Sequence, residues 1–179
     1  MTSLSEDPII NAINNGIKRD INVALENKCY RGGAILMLSA IDTMAFLAMP
    51  ETQEDVARTD FIVWASKYIR FAGQEQLTGE DLYGARCAML HSYGTRSRMS
   101  REGKCRVLGY MDISVPPIRY NPNVSKEVVL VSLAGLRDAL FDAIDRFLVD
   151  LFKDRSSKIS TVAEKRLNTV IHEYPTATL

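Results

Sequence analysis

The segment from Ala34 to Met49 is apolar nearly all round its helical circumference: Ile35, Leu36, Leu38, Ile41, Met44, Phe46 and Leu47 leave no broad polar face. A helix without a wet side must be surrounded by other apolar elements. The unbroken apolar run covers only Ala34 to Leu38, with Asp42 just beyond it, well short of the roughly 20 residues that a membrane crossing needs. The reading that follows is a central, buried helix, bounded by Gly32-Gly33 before it and Pro50 after it.

The neighbours of that helix are legible from period and punctuation. Asp7-Pro8 is an N-cap with proline in the first turn, and Ile10, Ile13, Ile17 and Ile21 recur at helical spacing to about Lys28. Thr52 to Asp55 resembles a capping box opening a third helix, with Val56, Ile62 or Val63, Tyr68 and Ile69 on its core face and Gly73 as its stop. Thr78-Gly-Glu-Asp81 opens a fourth helix that runs to His91 or Ser92 before Gly94. Arg106–Ser114 and Lys126–Ser132 are rich in Val, Ile and Leu and flank a Pro-Pro and Asn-Pro loop, which predicts a long-armed β-hairpin. From Leu133 the helical period returns in Leu136, Leu140, Ile144, Phe147, Leu148 and Leu151, and a more polar last helix spans about 159–171. The expected fold is mainly α: an antiparallel bundle of about five to six helices in one domain over 1–179, with a small β insertion at about 104–133.

Charge narrows the function. The 179 residues carry 22 Lys+Arg and 22 Asp+Glu, so a general attraction to nucleic acid or membrane is absent and any such binding needs a local patch. Cys29, Cys87 and Cys105 are widely spaced with no C-x-x-C pair, which predicts neither a disulfide framework nor a zinc site and suits a reducing compartment. The polar, acidic start MTSLSEDP does not read as a signal peptide. The expectation is a cytoplasmic protein with no membrane segment, no metal and no cofactor.

One constellation carries chemistry: Asp81-Leu-Tyr-Gly-Ala-Arg86-Cys-Ala-Met-Leu-His91-Ser92, with an Arg and a His late in a capped helix. A neutral His can take the proton of a ribose 2′-hydroxyl near neutral pH. An Arg can grip phosphate with two N–H groups and stabilise the charge of a pentacoordinate phosphorane without a metal. Residues five apart lie about 140° apart on a regular helix, so the pair converges only where the helix ends or bends, or where two chains supply complementary members. Arg166 and His172 match the same loose Arg–His pattern in the tail.

The Arg86–His91 spacing on a small helical bundle resembles the HEPN superfamily. That resemblance implies an RNA-binding protein of the kind that acts as a metal-independent endoribonuclease, with Arg86 and His91 as catalytic residues. It further implies a homodimer whose two protomers share one cleft, and a place in toxin–antitoxin or defence systems, with an antitoxin or other protein partner. Cys87 stands where nuclease members often carry Asn, Asp or His.

Three further readings support the pair. Asp42, inside the most apolar helix, either has a partner, because an unpaired buried carboxylate is costly, with Arg86 the expected one, or lies on a narrow exposed edge of that helix. Tyr83 lies one turn before Arg86 and shares its surface or packs in the core. Arg96, Arg98, Arg101, Lys104 and Arg106 follow His91 with only Glu102 against them, and the first four are the expected RNA-phosphate contacts. The same residues leave open a non-catalytic helical dimerisation or protein-interaction module.

Overall fold

The computed structural model describes residues 7–112, 115–153 and 158–167. The first element is capped as expected: Asp7 Oδ1 accepts the backbone N–H of Ile9 at 3.0 Å and of Ile10 at 3.4 Å. The helix is not uniform, for α1 (Pro8–Asn11) passes through a π-helical segment (Ala12–Lys18) into α2 (Arg19–Glu26). The isoleucines explain why. Ile9, Ile13, Ile17 and Ile21 stand four apart, and a four-residue step in an α-helix overshoots a full turn by about 40°. The wider π turn, closed by i→i+5 bonds, offsets that drift. Ile9, Ile13 and Ile21 are all fully buried; the buried stripe starts at Ile9, not at Ile10 as the spacing suggested.

The expected break at Gly32-Gly33 does not occur there. The chain turns at Lys28, which has φ 59°, with Lys28 N–H bonded to Leu25 O at 3.0 Å and Cys29 N–H to Ala24 O at 2.8 Å. This is a Schellman closure with lysine in the left-handed position. The central helix α3 (Tyr30–Ala48) therefore begins ahead of the glycines. Gly33 serves close packing instead: a Cβ there would lie 2.7 Å from Leu25 Cδ2.

By length and hydropathy α3 could cross a membrane, but in the fold it packs against α2, α4 (Arg58–Tyr68), α5 (Gly79–Ser92), α7 (Leu133–Phe152) and α8 (Lys158–Leu167). Met37, Leu38, Ile41 and Met44 are wholly buried, each such side chain contributing about 1.5–3 kcal/mol. The end of α3 and the turn after it are held by Arg166 of α8, which donates to Phe46 O, Met49 O, Pro50 O and Gln53 O. The Arg of the tail match is thus a structural clamp; His172 lies outside the described residues.

The third helix starts later and ends earlier than expected. Ala57 occupies the N-cap, and Asp60 Oδ2 accepts its N–H at 2.7 Å and the Gln53 side chain at 2.5 Å. Its buried face is Phe61, Trp64, Ala65 and Tyr68, while Val63 is 65% exposed. Beyond Tyr68 the Gln76 amide holds the Phe71 backbone in both directions at 2.9 Å, a fixed turn rather than helix. Trp64, Tyr68 and Phe147 meet edge-on or tilted with centroids 5.2–5.9 Å apart and join α4 to α7.

The expected hairpin is a three-stranded mixed sheet in the order β1–β3–β2. Strand β1 (Val107–Met111) runs parallel to β3 (Val128–Ser132), with Val107 opposite Val128, and the short β2 (Ile118–Arg119) pairs antiparallel with β3. A parallel pair needs a crossover of about a dozen residues or more, and the chain between β1 and β3 supplies one. Its proline-rich part folds back instead of turning tightly: Pro117 O accepts Ser132 N–H at 2.8 Å, and Pro117 packs where a Cβ on Gly135 would collide at 2.6 Å. Strand β3 then feeds α7 directly, with Ser132 Oγ accepting Gly135 N–H at 3.1 Å. The protein is mostly helical with this small sheet against one flank of α5.

Candidate functional site on helix α5

The sequence fixes the start of α5 tightly. Thr78 Oγ1 accepts Asp81 N–H at 3.1 Å and Asp81 Oδ2 accepts Thr78 N–H at 3.0 Å, the expected capping box. Asp81 does more than cap. It is 2% exposed, and it also accepts Arg106 N–H at 2.7 Å, Arg106 Nε at 3.0 Å and Arg106 Nη2 at 2.6 Å. Arg106 completes the tie by donating to Gln76 O at 2.8 Å and lying 4.9 Å from the Tyr120 ring centroid. The cap signal revealed the helix start but not this long-range partner.

The other end of α5 carries the Arg–His pair. Arg86 Nε donates to Asp42 Oδ2 of α3 at 2.8 Å, with the two side chains 26% and 24% exposed. Partial burial opposes the Arg86 charge, but the Asp42 hydrogen bond and charge outweigh it and hold its pKa above the ordinary value. Asp42 engages Nε, and the neighbouring Cys87 side chain makes a further hydrogen-bond contact with Arg86. His91 is exposed. The helix continues through His91 to Ser92 and closes on Tyr93, which takes φ 53°, so no bend brings His91 round to Arg86. Within one chain the two point about 140° apart. Leu90 at 38% exposure and Tyr93 at 59% flank the histidine.

Tyr83 packs rather than reaches. Its ring meets Phe61 of α4 edge-on at 5.4 Å, and the Arg58 guanidinium sits 5.7 Å from its centroid. Burial, with a smaller contribution from Cys87, raises its hydroxyl pKa, against the pull of Arg86 and Arg58. Arg58 was not singled out in the sequence, and nothing local to it signals this position.

The basic segment folds back along α5. Its short helix α6 (Arg98–Arg101) is capped by Ser97, whose Oγ accepts Ser100 N–H at 3.3 Å. A Cβ on Gly84 would lie 2.4 Å from Cys105 Sγ and 3.4 Å from Ser97 Oγ, so glycine is what lets the segment approach. Burial raises the Cys105 thiol pKa, partly offset by a hydrogen bond with Ser97. The charge excess seen in the sequence is reduced by folding. Glu102 takes both Arg98 at 2.6 Å and Lys104 at 2.7 Å, and these two bonds, Lys104 first, pull its carboxyl down to about 2. Arg96 lies 3.5 Å from Glu127 and Arg106 belongs to Asp81. Of the segment's cations, Arg101 alone has no ion pair among the described residues.

No group of three or more His, Cys, Asp or Glu side chains suited to holding a metal ion occurs among the described residues. Compared with known proteins, the chain matches no family model, no curated protein and no solved structure. The functional reading accordingly rests on the residues of α5 and their surroundings.

Proposed function

We propose that this chain is a HEPN-like antiparallel helical bundle that binds RNA on the α5 surface as a homodimer, and cleaves it with Arg86 of one copy and His91 of the other. The observation that carries the reading is the Arg86–Asp42 pair. Asp42 fixes the guanidinium through Nε and takes neither terminal nitrogen, on a surface about a quarter exposed, with the Cys87 side chain as a further hydrogen-bonding neighbour; such an edge suits phosphate in a paired contact. His91, exposed and 140° or so round the helix, can meet an Arg86 only from a second copy, and exposed Leu90 and Tyr93 beside it offer that copy apolar contact. In such a cleft His91 takes the 2′-hydroxyl proton, the 2′-oxygen attacks the adjacent phosphorus while Arg86 holds the phosphorane charge, and the P–O5′ bond breaks with the leaving 5′-oxygen taking a proton from water.

The test is cleavage of a mixed RNA pool in EDTA by wild-type protein, His91→Ala and Arg86→Ala, together with sedimentation. The expected result is a dimer, 2′,3′-cyclic phosphate ends and no action on DNA. Arg86→Ala should lose roughly 10²–10³ in rate, and Arg86→Lys should recover little because an ammonium cannot form the paired contact. Equal cleavage by wild type and His91→Ala would defeat the assignment.

A second reading, a non-catalytic dimerisation or protein-interaction module, draws on one observation. Most cations of the segment after His91 are already paired with Glu102, Glu127 and Asp81. It predicts a dimer with no cleavage by any variant.

A further inference from the structure

A groove of about 660 Å³ opens at the opposite end of α5 from His91, lined among others by Thr78, Glu80, Arg101, Lys104 and Lys126. Its floor is rigid, because Asp81 and Arg106 there are locked to each other by three hydrogen bonds. Two of its cations come from different elements: Arg101 ends α6 and Lys126 precedes β3. Both are exposed and neither has an ion pair among the described residues. Lys104 shares Glu102 with Arg98. Of the carboxylates on the same lining, Asp81 is taken by Arg106 and Glu127 lies 3.5 Å from Arg96, which leaves Glu80; two unpaired cations from separate elements attract a multivalent oxyanion more than a carboxylate, since each phosphate offers several acceptor oxygens.

On α5 the rim residue Glu80 lies on nearly the same helical face as His91. Glu80 on its rim and His91 are eleven residues apart, a separation of about 16 Å that returns within about 20° of the same helical face. We infer that this groove is a distal phosphate subsite that holds the backbone of an RNA strand whose reacting end lies at His91. This rests on the RNA reading above and adds a length requirement to it. A gap of about 16 Å corresponds to about five nucleotides at the 3.4 Å rise of a stacked strand, and fewer when the strand is extended. Short RNA engages only the His91 end; longer RNA gains the groove.

The experiment measures binding of two single-stranded RNAs, one of about three and one of about twelve nucleotides, chosen to fall below and above the span. Wild type is compared with Arg101→Glu/Lys126→Glu, with the neutral Arg101→Gln/Lys126→Gln, and with His91→Ala. The expected result is a loss of roughly tenfold or more on the long RNA for the charge-reversed protein, a salt slope shallower by about 1.4 for two lost single-strand contacts, and unchanged affinity for the short RNA. The neutral pair should move in the same direction by less, and it serves where charge reversal disturbs folding. Unchanged affinity for the long RNA in both double variants, or equal losses on both lengths, would overturn the distal subsite while leaving the His91 reading standing if His91→Ala still weakens binding. Wild-type protein that binds neither RNA would overturn both.

Discussion

The two ends of α5 each hold an Arg–Asp pair, and the pairs are built for different purposes. At the N-terminal end Asp81 is 2% exposed and Arg106 is 19% exposed, and three hydrogen bonds join them. At the C-terminal half Arg86 and Asp42 are each about a quarter exposed and share one hydrogen bond. A saturated buried pair fixes one arrangement of chain segments, here the tie between α5 and β1. A half-open pair fixes one side of a guanidinium and leaves the other available. The same two residue types therefore make a structural joint in one place and a presentable cation in the other, and what separates them is how many carboxylate contacts each arginine receives.

The largest effect should come from the closed end. Asp81→Ala strands a largely buried guanidinium and removes a helix cap, and should cost about 3–5 kcal/mol, read as a large fall in thermal or urea midpoint. A loss below about 1 kcal/mol would place the pair with ordinary surface bridges and erase the contrast.

Gly84→Ala probes the contact between α5 and the segment that folds back along it. The added methyl meets Cys105 Sγ at 2.4 Å, and overpacking of this kind costs typically 1–3 kcal/mol. Combining it with Cys105→Ala should restore much of that loss, because the obstructing sulfur is gone. If the double variant is no more stable than Gly84→Ala alone, the segment after His91 is not seated on Gly84.

Asp42→Ala should have the smallest effect on stability. With both partners about a quarter exposed, solvent reduces the cost of a broken pair to about 1–2 kcal/mol. Its effect on RNA should be larger than its effect on melting, since Arg86 loses the contact that aims it. A variant that melts lower yet binds and cleaves RNA like wild type would show that Arg86 is as structural as Arg106.

The sequence by itself determined the elements whose signals are local. The Thr78–Asp81 box set the start of α5, Asp7-Pro8 set the start of α1, the apolar circumference of α3 made it the central helix, and the apolar period after Leu133 drew α7. It left Asp42 either paired with Arg86 or on an exposed edge, and the structure shows a partly exposed Asp42 paired with Arg86. What only the tertiary structure decided depends on contacts between distant residues. Gly33 reads as part of a break, yet it and Gly84 are each small because another segment passes over them. Strands β1 and β3 pair in parallel because the proline-rich connection crosses over, a choice no alternation of side chains encodes. The basic segment read as a charge excess because its counter-ions, Asp81 and Glu127, lie elsewhere in the chain. Charge counted along a sequence takes in only neighbours, whereas the field at a surface sums over whatever the fold brings near.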